Sequence, residues 1–400
     1  MTCEHDAWLD AAASASLLGV KRRTLYAYVS RGLVRSRPAP RGPGRRYARD
    51  DLERLATRSA ARRGHGPVAA GALRWGDTVI ARAVATLSAA GPLYRGIAAT
   101  ELASAGASFE DVAELLLTGR RGRWGLWTET TPGRRARLPA GPRQPLDGLV
   151  LRLGLQAIRD PQRFAGSVPA RHAQARRLLR GLARAAGEGA LHPTIAGTLA
   201  EAFGLRGTAR ERAAIDAALV LCADHELNAS TFAARVASSA GADAYGAVAA
   251  GLATLGGTQH GGAVRRVAAC CGGLRDAADV PRALRARLAR GEELPGFGHP
   301  LYPEGDPRTP PLLERARALG RRRRDVRTAL ALVDAVALVG AGAPTLDIGL
   351  HALARALALP AGAGLVLFAV GRAAGWLAHA HEQRDQGYAI RPRARPPKGG

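Results

Sequence analysis

The chain has 400 residues, which favours two or three domains and allows a large buried core. Its hydrophobic fraction is 47% and its aromatic fraction only 4%, so alanine, leucine and valine fill the core, a mixture that favours helices. Four cysteines are too few and too irregularly spaced for a disulfide scaffold or a zinc site, which indicates a reducing cytoplasm. The net charge of +25 is almost all arginine spread along the chain, so by itself it assigns no nucleic-acid partner.

The N-terminus and the apolar runs exclude the usual membrane signals. The first residues, MTCEHDAWLDAAA, lack the basic and apolar regions of a signal peptide. Every apolar run meets a charge or a proline before it reaches the length of a membrane span. We therefore expect a soluble, cytoplasmic chain with no membrane partner.

The first unit, residues 8–58, has the layout of a helix-turn-helix domain. The pattern predicts helices over Ala11 to Leu18 and from Arg22 to Ser30, with a tight turn at Gly19-Val20. A wing follows with its tip at RPAPRGPGR, and Asp50-Asp51 are placed to cap a third helix. The pattern LGV..RTLY.Y...GL followed by RRY..DDLERL resembles the winged helix-turn-helix domains of MerR-like and excisionase-like proteins.

This module is strongly basic. Residues 1–65 contain 14 arginines and lysines against six acids, a net charge of +8 that suits phosphate contacts. The alternative is a vestigial or protein-binding appendage that does not bind DNA. We assign residues 1–62 to a DNA-binding-like domain and 63–70 to a linker. The candidate DNA contacts are Arg22, Arg23, Thr24, Tyr26, Arg41, Arg45 and Arg46.

From about Gly71 the chain reads as a helical unit that begins with a short strand and a turn at Gly91-Pro92. Ser108 followed by acids predicts a capped helix. Two polar clusters then interrupt apolar helices. In LCADHELNASTFAARVASS, a helix would place His225 and Asn228 on one face and Ser230 and Thr231 on the other. In LGGTQHGGAV, His260 lies among glycines, and the alternative is an ordinary loop histidine.

The segment LPGFGHPLYPEGDPR, residues 294–308, is too rich in proline and glycine for a helix. It fixes His299 relative to Arg308, an arrangement that suits gripping and polarising a polar anion; the alternative is a plain surface loop. Farther on, Asp347 stands at a helix entry, where capping is the alternative role. Arg372 lies within an apolar helix and needs an anionic partner or solvent.

The order of these motifs resembles citrate synthase over roughly residues 71–398: ADHELNAST, GGTQHGG, GFGHPLYPEGDPR, TLDIGL, GRAAGWLAHAHEQ and IRPR. The resemblance implies a mainly α, multi-helical fold with a large and a small domain in a homodimer, preceded here by the winged helix-turn-helix domain. The large domain would comprise about 71–259 and 353–400, and the small domain about 260–352.

The resemblance also implies the chemistry, a condensation of acetyl-CoA with oxaloacetate and water that gives citrate and CoA. Asp347 corresponds to the catalytic base, His260 to the group that stabilises the enol, and His299 to the group that polarises the ketone. Neither a metal nor a cofactor is implied, since the CoA thioester is a substrate. The positions that correspond to oxaloacetate contacts are His225, Arg308, Arg372 and Arg391, the last reaching the site of the partner subunit.

Some positions depart from the family pattern. Pro300 and the pair Pro303-Glu304 stand where basic residues are common, and Val264 stands where asparagine is frequent, so the CoA-phosphate contacts are unassigned. Two alternatives therefore remain open. One is a 2-methylcitrate synthase that uses propionyl-CoA, since one methylene changes binding by only about 1–3 kcal/mol. The other is a DNA-binding regulator whose enzyme-like part senses metabolites.

Overall fold

The structure is a computed structural model that describes residues 8–18, 20–30, 33–39, 44–49, 51–52, 84–122, 125–129 and 146–391. Its contacts divide the chain into two units, residues 1–81 with 391–400, and residues 82–390. The predicted linker at 63–70 and the predicted DNA contact Arg41 lie outside the described residues, as do Gly19 and Asp50.

The first unit contains two helices and a three-stranded sheet. The elements are β1 (Trp8–Leu9), α1 (Ala11–Leu18), α2 (Arg22–Ser30), β2 (Ser36–Pro38) and β3 (Arg45–Ala48). The strands are antiparallel in the order β1-β3-β2. A small core joins helices to sheet through Leu18, Leu25, Val34, Tyr47 and Leu52. The two predicted helices are confirmed, and β2 with β3 forms the wing.

Two features of this unit differ from the sequence-based expectation. Strand β1 pairs with β3, so the wing is one side of a sheet rather than an isolated hairpin. Asp51, which was expected to cap a third helix, binds Arg35: its carboxylate accepts from the Arg35 backbone N–H at 2.9 Å and from Nε at 2.8 Å. The carboxylate thus ties the residues after β3 to the start of β2.

The second unit begins with a small sheet and continues as helices. The strands β4 (Ala85–Ser88), β5 (Gly91–Tyr94) and β6 (Ile97–Ala98) form an antiparallel meander. Gly91 and Pro92 lie in β5, so the predicted turn there is wrong by two residues and falls at Ala89-Ala90. The helices are α3 (Ala99–Ser104), α4 (Phe109–Thr118), α5 (Asp147–Arg159), α6 (Val168–Ala185), α7 (Ile195–Ala202), α8 (Ala209–Cys222), α9 (Ala229–Ser239), α10 (Ala244–Leu255), α11 (Gly262–Gly272), α12 (Val280–Ala289), α13 (Thr309–Gly320), α14 (Arg324–Leu338), α15 (Leu346–Ala356) and α16 (Ala363–Gln386).

Local capping explains where several of these helices begin. Ser108 accepts from the Asp111 N–H at 3.1 Å, as the sequence predicted for α4. Thr208 and Glu211 form a reciprocal capping box at the start of α8. Such caps satisfy N–H groups that have no partner within the helix, so short polar residues fix the boundaries.

Two hydrophobic cores organise the second unit. The larger one surrounds α16 and draws on the chain from Val84 to Ala380. The smaller one takes its residues only from Val267 to Ala356. The mainly helical prediction is confirmed. The proposed bounds of a large and a small domain stay a prediction, although the smaller core falls within about the same stretch.

Helix α16 runs through the larger core. Its 24 residues are long and apolar enough to cross a membrane by length and composition, yet the apolar window is wholly buried inside the protein, as in the core helix of a soluble protein. Two glycines let α16 approach the end of α8. A Cβ at Gly371 would lie 2.7 Å from the Leu219 carbonyl oxygen, and one at Gly375 would lie 2.2 Å from Oδ2 of Asp224. This close approach places Arg372 beside the residues that follow α8.

Candidate active site

The turn between α8 and α9 carries the first polar cluster. Helix α8 ends at Cys222 and α9 begins at Ala229, so the prediction of one helix that carries His225 and Asn228 on a shared face is wrong. Asn228 caps α9 instead, because Oδ1 accepts from the N–H groups of Ser230 and Thr231 at 3.1 Å. Asp224 accepts from the Glu226 N–H at 2.7 Å, and the turn that carries His225 separates the two helices.

His225 and His299 meet across Tyr302. The Nε2 of His225 lies 2.8 Å from the Tyr302 hydroxyl, and the rings of the two histidines are 6.3 Å apart. Burial lowers the pKa of His225 well below 6.5, and the guanidinium of Arg308 lowers it further. Burial also lowers the pKa of His299. Both rings are therefore neutral at pH 7, and each can donate one N–H.

The loop that carries His299 is fixed by the segment just before α15. The Gly298 N–H donates to the Ala343 carbonyl at 2.8 Å, the Thr345 N–H to Gly296 at 2.9 Å, and the Asp306 N–H to Pro344 at 3.0 Å. Gly296 and Gly298 adopt φ of 90° and 70°, values that strongly favour glycine. These hydrogen bonds fix the position of His299 relative to the start of α15. The alternative of a plain surface loop is therefore wrong.

Asp347 lies in the first turn of α15. The capping position belongs to Thr345, which makes no side-chain cap; its hydroxyl donates to Oδ2 of Asp347 at 3.0 Å. The alternative that Asp347 is itself the cap is therefore wrong. Burial raises the pKa of Asp347, and the Thr345 hydroxyl and the Arg308 guanidinium partly oppose that shift. The result is a carboxyl group that is more basic than an exposed one.

His260 lies just before α11, at the end of the GGTQHGG turn. Its Nε2 is 2.9 Å from the hydroxyl oxygen of Ser230, which also accepts from Nε1 of Trp376 at 3.2 Å. The ring of Phe368 packs edge-on at 6.1 Å. Burial lowers the pKa of His260 to about 4, so the ring is neutral at pH 7. These contacts set the ring orientation, and an ordinary exposed loop histidine would have none of them.

The two arginines nearest these groups differ in their partners. Arg308 forms a buried two-bond pair with Asp306, at 2.9 Å from Nε and 2.6 Å from Nη2. Its Nη1 is buried and has no hydrogen-bond partner among the described residues. This geometry fixes the guanidinium and leaves one donor for a ligand.

Arg372 is only 1% exposed and corrects an expectation. The sequence predicted that this side chain would contact an anionic group or solvent. Within the described part of the chain, its Nε instead donates to the neutral Cys222 carbonyl at 2.7 Å. The guanidinium lies 4.8 Å from the centre of the Phe368 ring. Burial lowers the pKa of Arg372, and the carboxylate of Asp224 partly opposes that shift. A buried cation of this kind favours an anionic ligand.

The structure thus brings six of the predicted residues together, and electrostatics links them. Arg308 shifts the pKa of His225, His299 and Asp347. Arg372 shifts the pKa of His225 and His260. Arg391 is exposed and ends the described residues, so its role in a partner subunit stays a prediction.

Tyr302 and Asp306 shape this site but were not among the predicted residues, and Ser230 was predicted only to lie on the helix face opposite His225. All three lie within the motifs that the sequence singled out. Asp306 is two residues from Arg308, the spacing that lets it hold the backbone N–H and the guanidinium together. That spacing is the one signal that points to the pair; nothing in the sequence points Tyr302 toward His225.

The predicted DNA contacts occupy different settings in the first unit. Arg22, Arg23 and Arg45 are exposed, Tyr26 is 52% exposed, and Thr24 is half-buried. Arg46 donates to the Trp8 carbonyl at 3.1 Å, and Arg45 donates to the Ser36 hydroxyl at 3.0 Å. The start of α2 therefore presents two exposed guanidiniums.

Two family models match the chain. Residues 156–393 match the C-terminal domain of citrate synthase, and residues 12–66 match the MerR helix-turn-helix family of regulatory proteins. Among curated relatives, citrate synthase of Haloferax volcanii is 39% identical over 184 residues, 45% of this chain and 48% of that protein. Citrate synthase 2 of Bacillus subtilis is 35% identical over 184 residues, 45% of this chain and 50% of that protein. A 2-methylcitrate synthase of Mycobacterium tuberculosis is 36% identical over 186 residues, which are 45% of this chain and 46% of that protein. The chain spans about half the length of the curated relatives it matches.

Solved structures share the fold over more of the chain. Citrate synthase of Thermoplasma acidophilum, in a ternary complex with carboxymethyl coenzyme A and oxaloacetate, superposes with a TM-score of 0.67 at 23% identity, covering 82% of this chain and 97% of that one. Citrate synthase of Thermotoga maritima superposes with a TM-score of 0.66 at 22% identity, covering 81% and 94%.

Proposed function

Because the chain belongs to the citrate synthase family, we propose that it condenses acetyl-CoA with oxaloacetate and water to give citrate and CoA. The observation that carries this proposal is that the carboxyl group of Asp347, three imidazoles with lowered pKa values and two buried guanidiniums lie close enough to interact electrostatically. Such chemistry needs a base for a weakly acidic methyl group and donors for two carbonyl oxygens.

Asp347 is the proposed base. It would remove a proton from the methyl group of acetyl-CoA, and its raised pKa makes it a stronger acceptor than an exposed carboxylate. The Thr345 hydroxyl fixes Oδ2 at 3.0 Å and leaves Oδ1 for the substrate. The resulting enol would then attack the ketone carbon of oxaloacetate.

His260 is the proposed donor to the thioester oxygen. A neutral ring carries one N–H, so for Nδ1 to donate to the substrate, Nε2 must accept from the Ser230 hydroxyl. Trp376 donates to one lone pair of this hydroxyl oxygen at 3.2 Å, and the single hydroxyl proton faces two acceptors, Nε2 of His260 at 2.9 Å and Oδ1 of Asn228 at 2.8 Å. The proposed tautomer has that proton on the bond to Nε2. Ser230 is thereby a positioning residue for the enol-stabilising group.

Oxaloacetate is a dianion, and the remaining groups suit it. The free Nη1 of Arg308 and the buried guanidinium of Arg372 are donors for its carboxylates. His299 would donate to the ketone oxygen and draw electrons from the carbon under attack, with His225 alongside. Loss of the carbonyl double bond leaves negative charge on that oxygen, which the imidazole N–H stabilises.

Replacing Ser230 by alanine is expected to lower kcat about 10²-fold while the KM for oxaloacetate stays within a few-fold. The ring of His260 would lose the group that sets its tautomer, whereas the guanidiniums would be untouched. Steady-state kinetics with both substrates measures the split, and Ser104→Ala, an exposed serine at the end of α3, is the control. An unchanged kcat would contradict the role of Ser230.

The tail is proposed to complete the site of a partner subunit through Arg391. We expect Arg391→Ala to fold normally and to lose at least about tenfold in kcat/KM, since a carboxylate would lose one charged donor. Mixing this variant with Asp347→Asn tests the arrangement further, because hybrid dimers would regain one intact site. Wild-type kinetics in Arg391→Ala would contradict the assignment.

The acyl group is a second choice within the same chemistry. The similarity to a 2-methylcitrate synthase of Mycobacterium tuberculosis favours a test of propionyl-CoA. A methylene changes binding by only about 1–3 kcal/mol, so the two reactions differ in degree. The ratio of kcat/KM for acetyl-CoA to that for propionyl-CoA decides which acyl-CoA is the preferred substrate.

The N-terminal unit supports a second candidate function, a DNA-binding regulator that senses metabolites. The match to MerR-type domains and the exposed arginines of α2 favour DNA binding. A pure sensor needs the guanidiniums but not a base, and Asp347 is present. Release of CoA thiol from acetyl-CoA, with and without oxaloacetate, separates the two. Release that depends on oxaloacetate supports the enzyme; no release, with salt-sensitive DNA binding, would support the regulator.

A further inference from the structure

A chain of buried polar groups joins α9 and α16 to the turn that carries His225. Arg235 on α9, His379 on α16 and Asp224 in the turn are each 0% exposed. In the proposed condensation none of these three side chains contacts a substrate. Polar groups buried to this extent are costly unless they pair with one another, so their contacts show what each of them holds in place.

Arg235 sets the tautomer of His379. Its Nη1 lies 3.2 Å from Nδ1 of the imidazole, and a guanidinium can only donate, so Nδ1 accepts and the ring proton is on Nε2. The guanidinium is itself fixed by α16, because Glu382 accepts from Nη1 at 2.6 Å and Gln383 accepts from Nε at 3.0 Å. The packing of α9 against α16 therefore leaves His379 with one N–H, at Nε2.

The Nε2 atom of His379 faces the carboxylate of Asp224. It lies 3.2 Å from Oδ2, in a bent approach rather than an aligned hydrogen bond, and neither atom has a partner elsewhere in the described part of the chain. Arg372, Gly375 and His379 are spaced by three and four residues, so they share one face of α16. The missing side chain at Gly375 leaves room for Oδ2. The imidazole N–H is thus the donor that α16 offers to this oxygen.

Asp224 connects His379 to groups that are proposed to bind oxaloacetate. Its Oδ1 accepts from the Glu226 N–H at 2.7 Å and closes a turn in which Glu226 adopts φ of 56°. The same turn carries His225. The negative charge of Asp224 also acts on Arg372, since it partly opposes the fall in pKa that burial causes there. One carboxylate therefore shapes the histidine turn and influences the buried guanidinium.

We propose that His379 is a positioning residue for oxaloacetate, because its Nε2–H keeps the Asp224 carboxylate in the His225 turn and away from Arg372. This inference rests on the proposed function, in which oxaloacetate is the ligand that uses His225 and Arg372. Without the imidazole donor, Oδ2 would be a buried acceptor with no partner, and the carboxylate would turn toward the guanidinium. The histidine turn would lose its geometry, and the charge of Arg372 would be neutralised within the protein instead of by the substrate.

The test uses the full chain and compares substitutions at one position. In His379→Gln the amide can still accept from Arg235 and donate to Asp224, whereas His379→Leu has neither group. His381→Leu is the matched control, because it removes a buried histidine two residues farther along α16, where the side chain points to a different face. Calorimetric titration measures oxaloacetate binding, and steady-state kinetics gives the KM for each substrate.

We expect His379→Leu to bind oxaloacetate at least about tenfold more weakly than wild type, while the KM for acetyl-CoA stays within a few-fold. His379→Gln and His381→Leu should bind oxaloacetate as tightly as wild type. Thermal unfolding verifies that each variant is folded; should His379→Leu fail to fold, His379→Asn, whose shorter amide does not reach Asp224, replaces it with the same expected loss.

Wild-type affinity in the folded loss variant would overturn the proposal, as would an equal loss of affinity in His379→Gln or in His381→Leu. The proposed function is judged separately on the unmodified chain. Wild type that neither binds oxaloacetate nor releases CoA thiol in its presence would contradict the condensation, whereas normal turnover with an unaffected His379→Leu would contradict only the role of His379.

Discussion

Replacing Asp347 by asparagine is expected to lower kcat by about 10²–10⁴-fold, the range typical of general acid–base catalysis, while oxaloacetate binding changes little. The amide keeps the shape and can still contact the Thr345 hydroxyl, but it cannot accept the methyl proton. Steady-state kinetics gives kcat, and calorimetric titration gives the oxaloacetate affinity. Asp334→Asn, an exposed carboxyl on α14, is the matched control.

The pH profile adds an independent check on Asp347. The base acts in its ionised form, and burial raises its pKa above the ordinary 3.8. Activity should therefore fall as pH decreases through a value above 3.8, and the residual activity of Asp347→Asn should lack that limb. A variant with wild-type kcat, or one that keeps the same acid limb, would contradict the assignment.

Replacing Arg372 or Arg308 singly by methionine is expected to weaken the use of oxaloacetate in both variants but to lower the stability of only one of them. Both variants should lose about 10²-fold or more in kcat/KM for oxaloacetate, since each removes a charged donor. Their stabilities should diverge. Arg308→Met leaves Asp306 buried without its partner, which costs about 3–5 kcal/mol. Arg372→Met removes a buried cation that lacks an ion pair within the described residues, so the empty protein should be as stable or more stable.

Thermal and denaturant unfolding of the ligand-free variants measures this difference. A loss of stability in Arg372→Met as large as that in Arg308→Met would show that Arg372 is a structural residue. Leu338→Met, at an 88% exposed position, provides a control for the introduced side chain. Oxaloacetate should raise the melting temperature of wild type and fail to raise that of either arginine variant.

Much of the fold follows from local signals that the sequence carries. Ser108 and the acids after it fix the start of α4, and the apolar run around Arg372 gives the buried helix α16. The turn at His225 was read as helix because its apolar flanks continue the helical period. The side chains of Asp224 and Asn228 override that period by binding backbone N–H groups locally.

The candidate site was predicted less completely than its motifs. His299 and Arg308 were related by their shared rigid loop, and that relation follows from proline and glycine. The contact of Tyr302 with His225 joins residues that are 77 positions apart, and the contact of Trp376 with Ser230 joins residues 146 apart. No local rule fixes such contacts, because they depend on how helices pack. The burial that tunes His260 and Asp347 has the same origin.

The most direct test of the central claim is to follow carbon from acetyl-CoA into product. The full chain is incubated with acetyl-CoA labelled with ¹³C at the methyl carbon, with oxaloacetate, and the products are identified by carbon NMR. We expect labelled citrate and free CoA in equal amounts, and neither without oxaloacetate. Labelled acetate in place of citrate, or unchanged acetyl-CoA, would contradict the condensation.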